Sequence, residues 1–244
     1  MLRLPTANPI LIAAAVIPAV ILLNYIYRKD RLEKEPPRLL ITLVVLGVLA
    51  TALAVAAERF GGFVLRWFLP EGSLGYSALM YFGVVACAEE GAKYILLKRK
   101  TWNTPEFNCQ FDGVVYAVFV SLGFALWENI GYVAAYGLST ALIRAVTAVP
   151  GHACFGVFMG AWYGMAKRYD RAGNAKKSRQ CSRRAFWLPV LIHGAYDFIA
   201  TLNAMLSSLV FLAFVAFLFF SAMSRIRKIS DADDYFEGGG PTFF

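Results

Sequence analysis

Seven apolar runs, each near the roughly 20 residues that a membrane-spanning helix needs, leave this chain few ways to fold. They cover residues 7–27, 38–57, 73–97, 111–136, 140–166, 185–203 and 206–223. The stretches between them alternate in charge. Basic blocks follow the first, third, fifth and seventh runs, at 28–38, 98–100, 167–184 and 225–228. The stretches after the second, fourth and sixth carry almost no net charge. Lys and Arg collect on the cytoplasmic side of membrane proteins. The alternation therefore predicts an all-α, polytopic membrane helix bundle with about seven transmembrane helices, its N-terminus outside and its C-terminus cytoplasmic.

Composition agrees. Only 16% of the residues are charged, against about 25% in soluble domains, which leaves little room for a soluble domain. The net charge of +8 then reports topology, and no nucleic-acid partner is expected; membrane lipids are. Arg3 alone precedes the first run and the basic block follows it, the reverse of a signal peptide, so this run reads as an uncleaved helix. Gly61-Gly62 and Pro70-Glu71-Gly72 predict a loop over 58–72. The acidic, Gly-rich residues 229–244 are expected to be a disordered tail, with 1–228 a single transmembrane domain. Cys87 and Cys154 fall in predicted helices and Cys109 and Cys181 in predicted cytoplasmic loops, with no CxxC pair, so all four are expected to be reduced. No internal repeat is visible, which argues against a transporter built from inverted repeats.

Ionisable residues inside the apolar runs are costly, near 2.5–3.5 kcal/mol for an Asp, Lys or Arg at a helix centre. The third run holds Glu89, Glu90 and Lys93. The 89/93 and 90/93 spacings allow side-chain pairs, while the two glutamates point about 100° apart on a helix. In the fourth run Phe124, Glu128 and Tyr132 share a face. The fifth carries Arg144 near its start, then His152, Gly156, Gly160 and Gly164 at four-residue spacing. Such a small-residue stripe lets helices approach closely, so His152 is aimed into a tight seam. In the sixth, His193 and Asp197 stand one turn apart. Both histidines of the chain thus lie in predicted helices.

A rise of 1.5 Å per residue places Glu89, Glu90 and His193 roughly 10–12 Å above the cytoplasmic helix ends. Asp197 and His152 fall at roughly 18–21 Å, and Glu128 at about 25 Å. Glu128 joins the others only if its helix is tilted, broken or begins later. Three chemistries suit carboxylates and imidazoles in a wet cavity. A glutamate can act as general base toward water while histidines stabilise the oxyanion or protonate the amine. Two histidines with a carboxylate can bind zinc, here His152, His193 and Glu89 or Glu128, although no HExxH motif is present. Proton-coupled transport also places such residues in membranes.

Four motifs in order carry a resemblance: Glu89-Glu90-x-x-Lys93; Gly123-Phe124-Ala125-x-x-Glu128-Asn129-x-x-Tyr132; Arg144 followed by Pro150-Gly151-His152; and His193-Gly194-x-x-Asp197. Together, over about residues 80–198, they resemble the PrsW-type intramembrane proteases. That family is related to the CAAX-prenyl endopeptidases and bacterial self-immunity proteases. The resemblance implies a multi-helix enzyme of the bacterial cell membrane that hydrolyses a peptide bond. Its substrate would be a single-pass membrane protein, anti-sigma-factor-like, or a peptide. It further implies Glu89 as the base that activates water, Glu90 as its support and Lys93 as the holder of the pair. His152 would assist, and His193 with Asp197 would form the oxyanion side. Glu128, Asn129 and Arg144 match family positions as supporting residues. An Asn commonly stands at the position of Asp197 in the CAAX relatives, and an ionised Asp only accepts hydrogen bonds. A glutamic mechanism without cofactor is the expectation, with a zinc enzyme as the alternative.

Overall fold

The computed structural model describes residues 9–202 and 205–236. It is all-helical: α1 (Pro9–Lys29), α2 (Pro37–Leu65), α3 (Leu74–Ala78), a π-helical stretch Leu79–Val85, α4 (Ala86–Thr101), α5 (Gln110–Tyr136), α6 (Leu138–Val146), α7 (Ala148–Arg171), α8 (Ala175–Ala200) and α9 (Met205–Asp231). Among the described residues no strand forms beyond one isolated bridge, Cys109 to Tyr235. Among the described residues the helices form seven runs, with α3 through α4 and α6 with α7 counted as one each, and five stretches are long and apolar enough to cross a membrane: α1, α2, α5, α6 with α7, and α9. The runs built around α4 and α8 miss that standard because they carry Glu89, Glu90 and Lys93, and the basic residues of 176–184.

At the centre stands α5. Every residue from Phe111 to Ala125 is buried, the signature of a helix enclosed on all sides. It packs on α7, α2 and α1. Glycine sets the spacing. A Cβ on Gly160 of α7 would lie 2.4 Å from the Gly113 carbonyl oxygen, and one on Gly47 of α2 would lie 2.1 Å from that of Val120. Backbones this close leave no room for a side chain. The predicted small-residue stripe is thus the α5–α7 seam.

Four sequence expectations change, each for a local reason. The loop expected at 58–72 begins only after Leu65. Gly61 and Gly62 are packing residues of α2 rather than breakers, for a Cβ on Gly61 would meet Val84 Cγ1 at 2.6 Å. The single helix expected over 140–166 is broken at Thr147 (φ −120°, ψ −71°). Pro150 explains the break: it lacks an N–H, and its ring crowds the carbonyl four residues back, at Val146. The basic stretch 167–184 is a helical hairpin, with α7 and α8 joined by a turn at Gly173 (φ +71°). The boundary expected at 228 falls inside α9, which runs to Asp231, and Phe236 is buried against the bundle. Residues 237–244 lie outside the described residues, as do Arg3, residues 7 and 8 and residue 203. All four cysteines are free.

Where α1 ends and α5 begins, a second set of acids is buried. Asp112 caps α5, its Oδ2 accepting from the backbone N–H groups of Asn108 (2.9 Å) and Cys109 (2.8 Å). Asp30 and Glu35, in the α1–α2 connection, are 1% and 2% exposed. Burial, reinforced by the Asp112 carboxylate, pushes the Asp30 carboxyl up to about 7 and that of Glu35 up to about 10.

Candidate active site

Six segments bring their polar residues to one point. The π-helical stretch widens the turn just before α4. Gly194 of α8 lets that stretch come close, since a Cβ there would lie 2.5 Å from the Phe82 ring. The approach carries His193 onto the α4 glutamates. Its Nδ1 lies 2.9 Å from Glu90 Oε1. Its Nε2 lies 3.3 Å from Asp197 Oδ2 and 3.9 Å from Glu89 Oε2. Both ring nitrogens face carboxylate oxygens, which accept; the ring donates from both in its imidazolium form. Phe155 stacks on it at 4.6 Å.

Lys93 is the hub. Its ammonium, fully buried, lies 2.8 Å from Glu90 Oε1, 3.2 Å from Glu89 Oε2 and 3.2 Å from His152 Nδ1. Three donors meet three acceptors, and the Phe124 ring closes over the charge at 3.9 Å. An ammonium only donates, so His152 Nδ1 must accept. The proton of that ring is therefore on Nε2, which lies 2.9 Å from Glu128 Oε2. Glu128 is also held by Arg144 Nη2 at 2.9 Å. Arg144 Nε donates to Asn129 Oδ1 (3.0 Å), and Asn129 Nδ2 donates to the Ala15 carbonyl (2.9 Å), which ties α1, α5 and α6 together.

Every sequence-predicted site residue therefore joins one network, Glu128 included. The expected depth of Glu128 was measured from the wrong reference points. Because α7 and α8 extend into the basic hairpin, His152 stands nineteen residues from Arg171 and His193 eighteen from Ala175, matching the eighteen between Gln110 and Glu128. The Pro150 break then brings Arg144 of α6 back over Glu128. Sequence reading missed Glu58. It sits in the part of α2 expected to be loop, and it lines the same cavity. The helix-compatible run after it, Phe60 and Phe63-Val64-Leu65, was the available signal.

The polar cavity has a volume of about 250 Å³ and is bordered by Glu58, Glu89, Glu128, His152, His193 and Asp197. Through Glu58, Glu89, Glu128 and Tyr132 it borders a groove of about 670 Å³ between α2 and α5, flanked by Thr51, Val55, Trp127 and Tyr136. Trp127 and Tyr136 are 56% and 68% exposed on the bundle's outer face. Glu90 is closed off, while Glu89 keeps 8% of its side chain exposed.

Comparison with known proteins decides the family. Residues 35–223 match the model described as PrsW family intramembrane metalloprotease. The chain belongs to the PrsW family. Protease PrsW of Geobacillus kaustophilus is 38% identical over 189 residues, covering 78% of this chain and 79% of the relative. Protease PrsW of Bacillus subtilis is 34% identical over 208 residues, 83% and 90% of the two chains. That of Clostridioides difficile is 32% identical over 191 residues, 76% of each. No solved structure matches. This PrsW-family protein is a multi-pass membrane protein and an intramembrane peptidase.

The family description implies a metal. Glu89, Glu90 and His152 do bring ligand atoms within 4.8 Å of one another. The Lys93 ammonium, however, is bonded to all three. Neither imidazole offers a free lone pair: His152 gives Nδ1 to Lys93 and its Nε2 proton to Glu128, and both nitrogens of His193 face carboxylates. A zinc ligand must be a neutral imidazole with an available nitrogen. In this arrangement the residues do not fit a zinc ion.

Proposed function

We propose that this peptidase is of the glutamic type, with Glu89 as the base that activates water. The observation that carries the reading is the position of Lys93: a buried ammonium stands among Glu89, Glu90 and His152, where a catalytic cation would be needed. Glu90, wholly enclosed, holds Lys93 and His193. Glu89, at the edge of the cavity, is free to take a proton from water as the hydroxide adds to the scissile carbonyl carbon. Glu90 on Nδ1 orients the His193 ring, and its Nε2–H, which faces Asp197 at 3.3 Å, turns to the resulting oxyanion, Asp197 not itself donating. When the C–N bond breaks, the proton held by Glu89 passes to the leaving amine. His152, held by Lys93 and Glu128, keeps the cavity wall polar and fixed in orientation.

The substrate is a membrane-anchored protein, anti-sigma-factor-like, or a peptide, entering from the lipid through the α2–α5 groove. Its scissile segment must be extended, since a helix withholds its backbone carbonyls. The basic blocks place the N-terminus outside and the C-terminus in the cytoplasm of a bacterial cell membrane. The test is membrane proteomics of cells making the wild type or Glu89→Gln, joined to zinc analysis and chelation of the purified protein. A shed fragment found only with the wild type, and cleavage that survives chelation, are expected. Unimpaired cleavage by Glu89→Gln, or one bound zinc whose removal abolishes activity, overturns the mechanism.

A further inference from the structure

The second acidic cluster is unrelated to the chemistry above. One oxygen from each of Asp30, Glu35 and Asp112 lies within 4.8 Å of the others. All three side chains are buried, at 1%, 2% and 1% exposure. Both oxygens of Asp30 and both of Glu35 lack any hydrogen-bond partner. Three carboxylates in such a space are unstable unless a cation or protons relieve them.

Among the described residues no side-chain cation bonds these carboxylates, and Lys34 acts on Asp30 only through space. The Lys34 ammonium donates instead to the backbone carbonyls of Tyr27 (2.6 Å) and Asp30. The cluster also adjoins the C-terminal end of α1, where helix carbonyls add negative potential. A further observation is independent of the carboxylates. Tyr116 of α5 is 0% exposed, and its hydroxyl is turned toward Glu35 and Asp112 yet closes no hydrogen bond of proper geometry. A wholly buried oxygen donor without a partner, aimed into a nest of carboxylates, fits an inner coordination position.

We propose that Asp30, Glu35, Asp112 and the Tyr116 hydroxyl form a binding site for a hard divalent cation, calcium by its donor set. The Cys109 thiol donates to Asp112 Oδ1 at 2.8 Å but stands outside the group of atoms within 4.8 Å of one another; the converging donors are oxygens, which selects calcium, magnesium or manganese over zinc or copper. Four free carboxylate oxygens, the Tyr116 hydroxyl and Asp112 Oδ1, which keeps one lone pair beside the Cys109 S–H, make six donors, the lower end of the six to eight that calcium takes. Two oxygens on opposite sides of a calcium ion stand roughly 4.6–5.2 Å apart, twice a Ca–O distance, which is the span of this cluster. Magnesium keeps several of its own waters and suits a closed site less well. The ion would fasten the α1–α2 connection to the start of α5. The C-terminal segment lies over the same region: Ser230 Oγ donates to the Lys29 carbonyl (2.6 Å), and Asp233 accepts from the N–H groups of Gln110 (3.1 Å) and Phe111 (3.2 Å).

The experiment uses the full-length protein in detergent, stripped with chelator and titrated separately with Ca²⁺, Mg²⁺ and Mn²⁺. Calorimetry reads binding and thermal unfolding reads its consequence. One equivalent of Ca²⁺ and a raised unfolding midpoint are expected. Asp30→Asn/Glu35→Gln should weaken that binding about tenfold or more while staying folded in chelator, since it removes like charges. Glu89→Gln/Glu90→Gln should keep the Ca²⁺ site, which separates it from the catalytic cluster. The proposal is overturned if none of the three ions binds the folded wild type. It is equally overturned if Asp30→Asn/Glu35→Gln binds Ca²⁺ as the wild type does.

Discussion

Two groups of buried carboxylates stand in this protein, and they are balanced differently. In the α4 cluster Glu89 and Glu90 meet Lys93 and the His193 ring, and Glu128 meets Arg144. Its cations are side chains, carried by the same helices and fixed by packing. Around Asp30, Glu35 and Asp112 no side-chain cation among the described residues is bonded to the carboxylate oxygens, and four of them are unpartnered. The first cluster faces a cavity of about 250 Å³ and the open groove between α2 and α5; the second is sealed between a connection, a helix start and the C-terminal segment. On the two readings proposed above, charges that react have a built-in counter-charge and an opening, and charges that only join elements depend on an ion from solution.

The largest expected effect breaks the comparison at its reactive end. Glu89→Gln should lower cleavage by about 10²–10⁴, the usual contribution of a general base, whereas Asp30→Asn/Glu35→Gln should leave the cleavage rate close to that of the wild type. Quantified release of a membrane protein fragment in cells checks both. Next comes the internal cation. Lys93→Met strands Glu90, 0% exposed, without its ammonium, and should cost about 3–5 kcal/mol of stability. Lys93→Met/Glu90→Gln should recover most of that loss, measured by unfolding in detergent; if the single and double variants unfold alike, the pair is not what holds this part of α4. A smaller effect tests the scaffold beneath the site. Gly160→Ala forces α7 off α5 and should destabilise by about 1–3 kcal/mol. It should also lower cleavage, because His152 rides on the same seam. The smallest effect belongs to the second cluster. In chelator, Asp30→Asn/Glu35→Gln should be more stable than the wild type by about 1 kcal/mol, and added Ca²⁺ should narrow the gap.

Much of the site was legible before any coordinates. Glu89, Glu90, Lys93, Glu128, His152, His193 and Asp197 stand out because ionisable groups in apolar runs need a reason. Helical spacing alone pairs Lys93 with both glutamates and His193 with Asp197, as the structure does. The Gly156-Gly160-Gly164 stripe likewise identifies the face that packs closely. What could not be read lies in three-dimensional offsets. Glu58 was hidden because a Gly-Gly pair is a breaker in one context and a packing face in another; only the position of Val84 distinguishes them. Glu128 was set too high because helix length beyond the apolar runs is invisible to hydropathy: α7 and α8 stay helical through a basic, largely polar hairpin.

The sequence by itself determined the class of fold and most of the ionisable residues that meet at the candidate site, since periodicity and the cost of buried charge are local and additive along a chain. Tertiary structure alone decided that His152 joins the two glutamates around the Lys93 ammonium, which nitrogen of His152 carries its proton, and that Asp30, Glu35 and Asp112 share one enclosure. Those depend on distances of 3–5 Å between residues far apart in the chain. Such distances are set by glycine-spaced helix contacts, the Pro150 break and the π-helical stretch, whose combined effect no single segment contains.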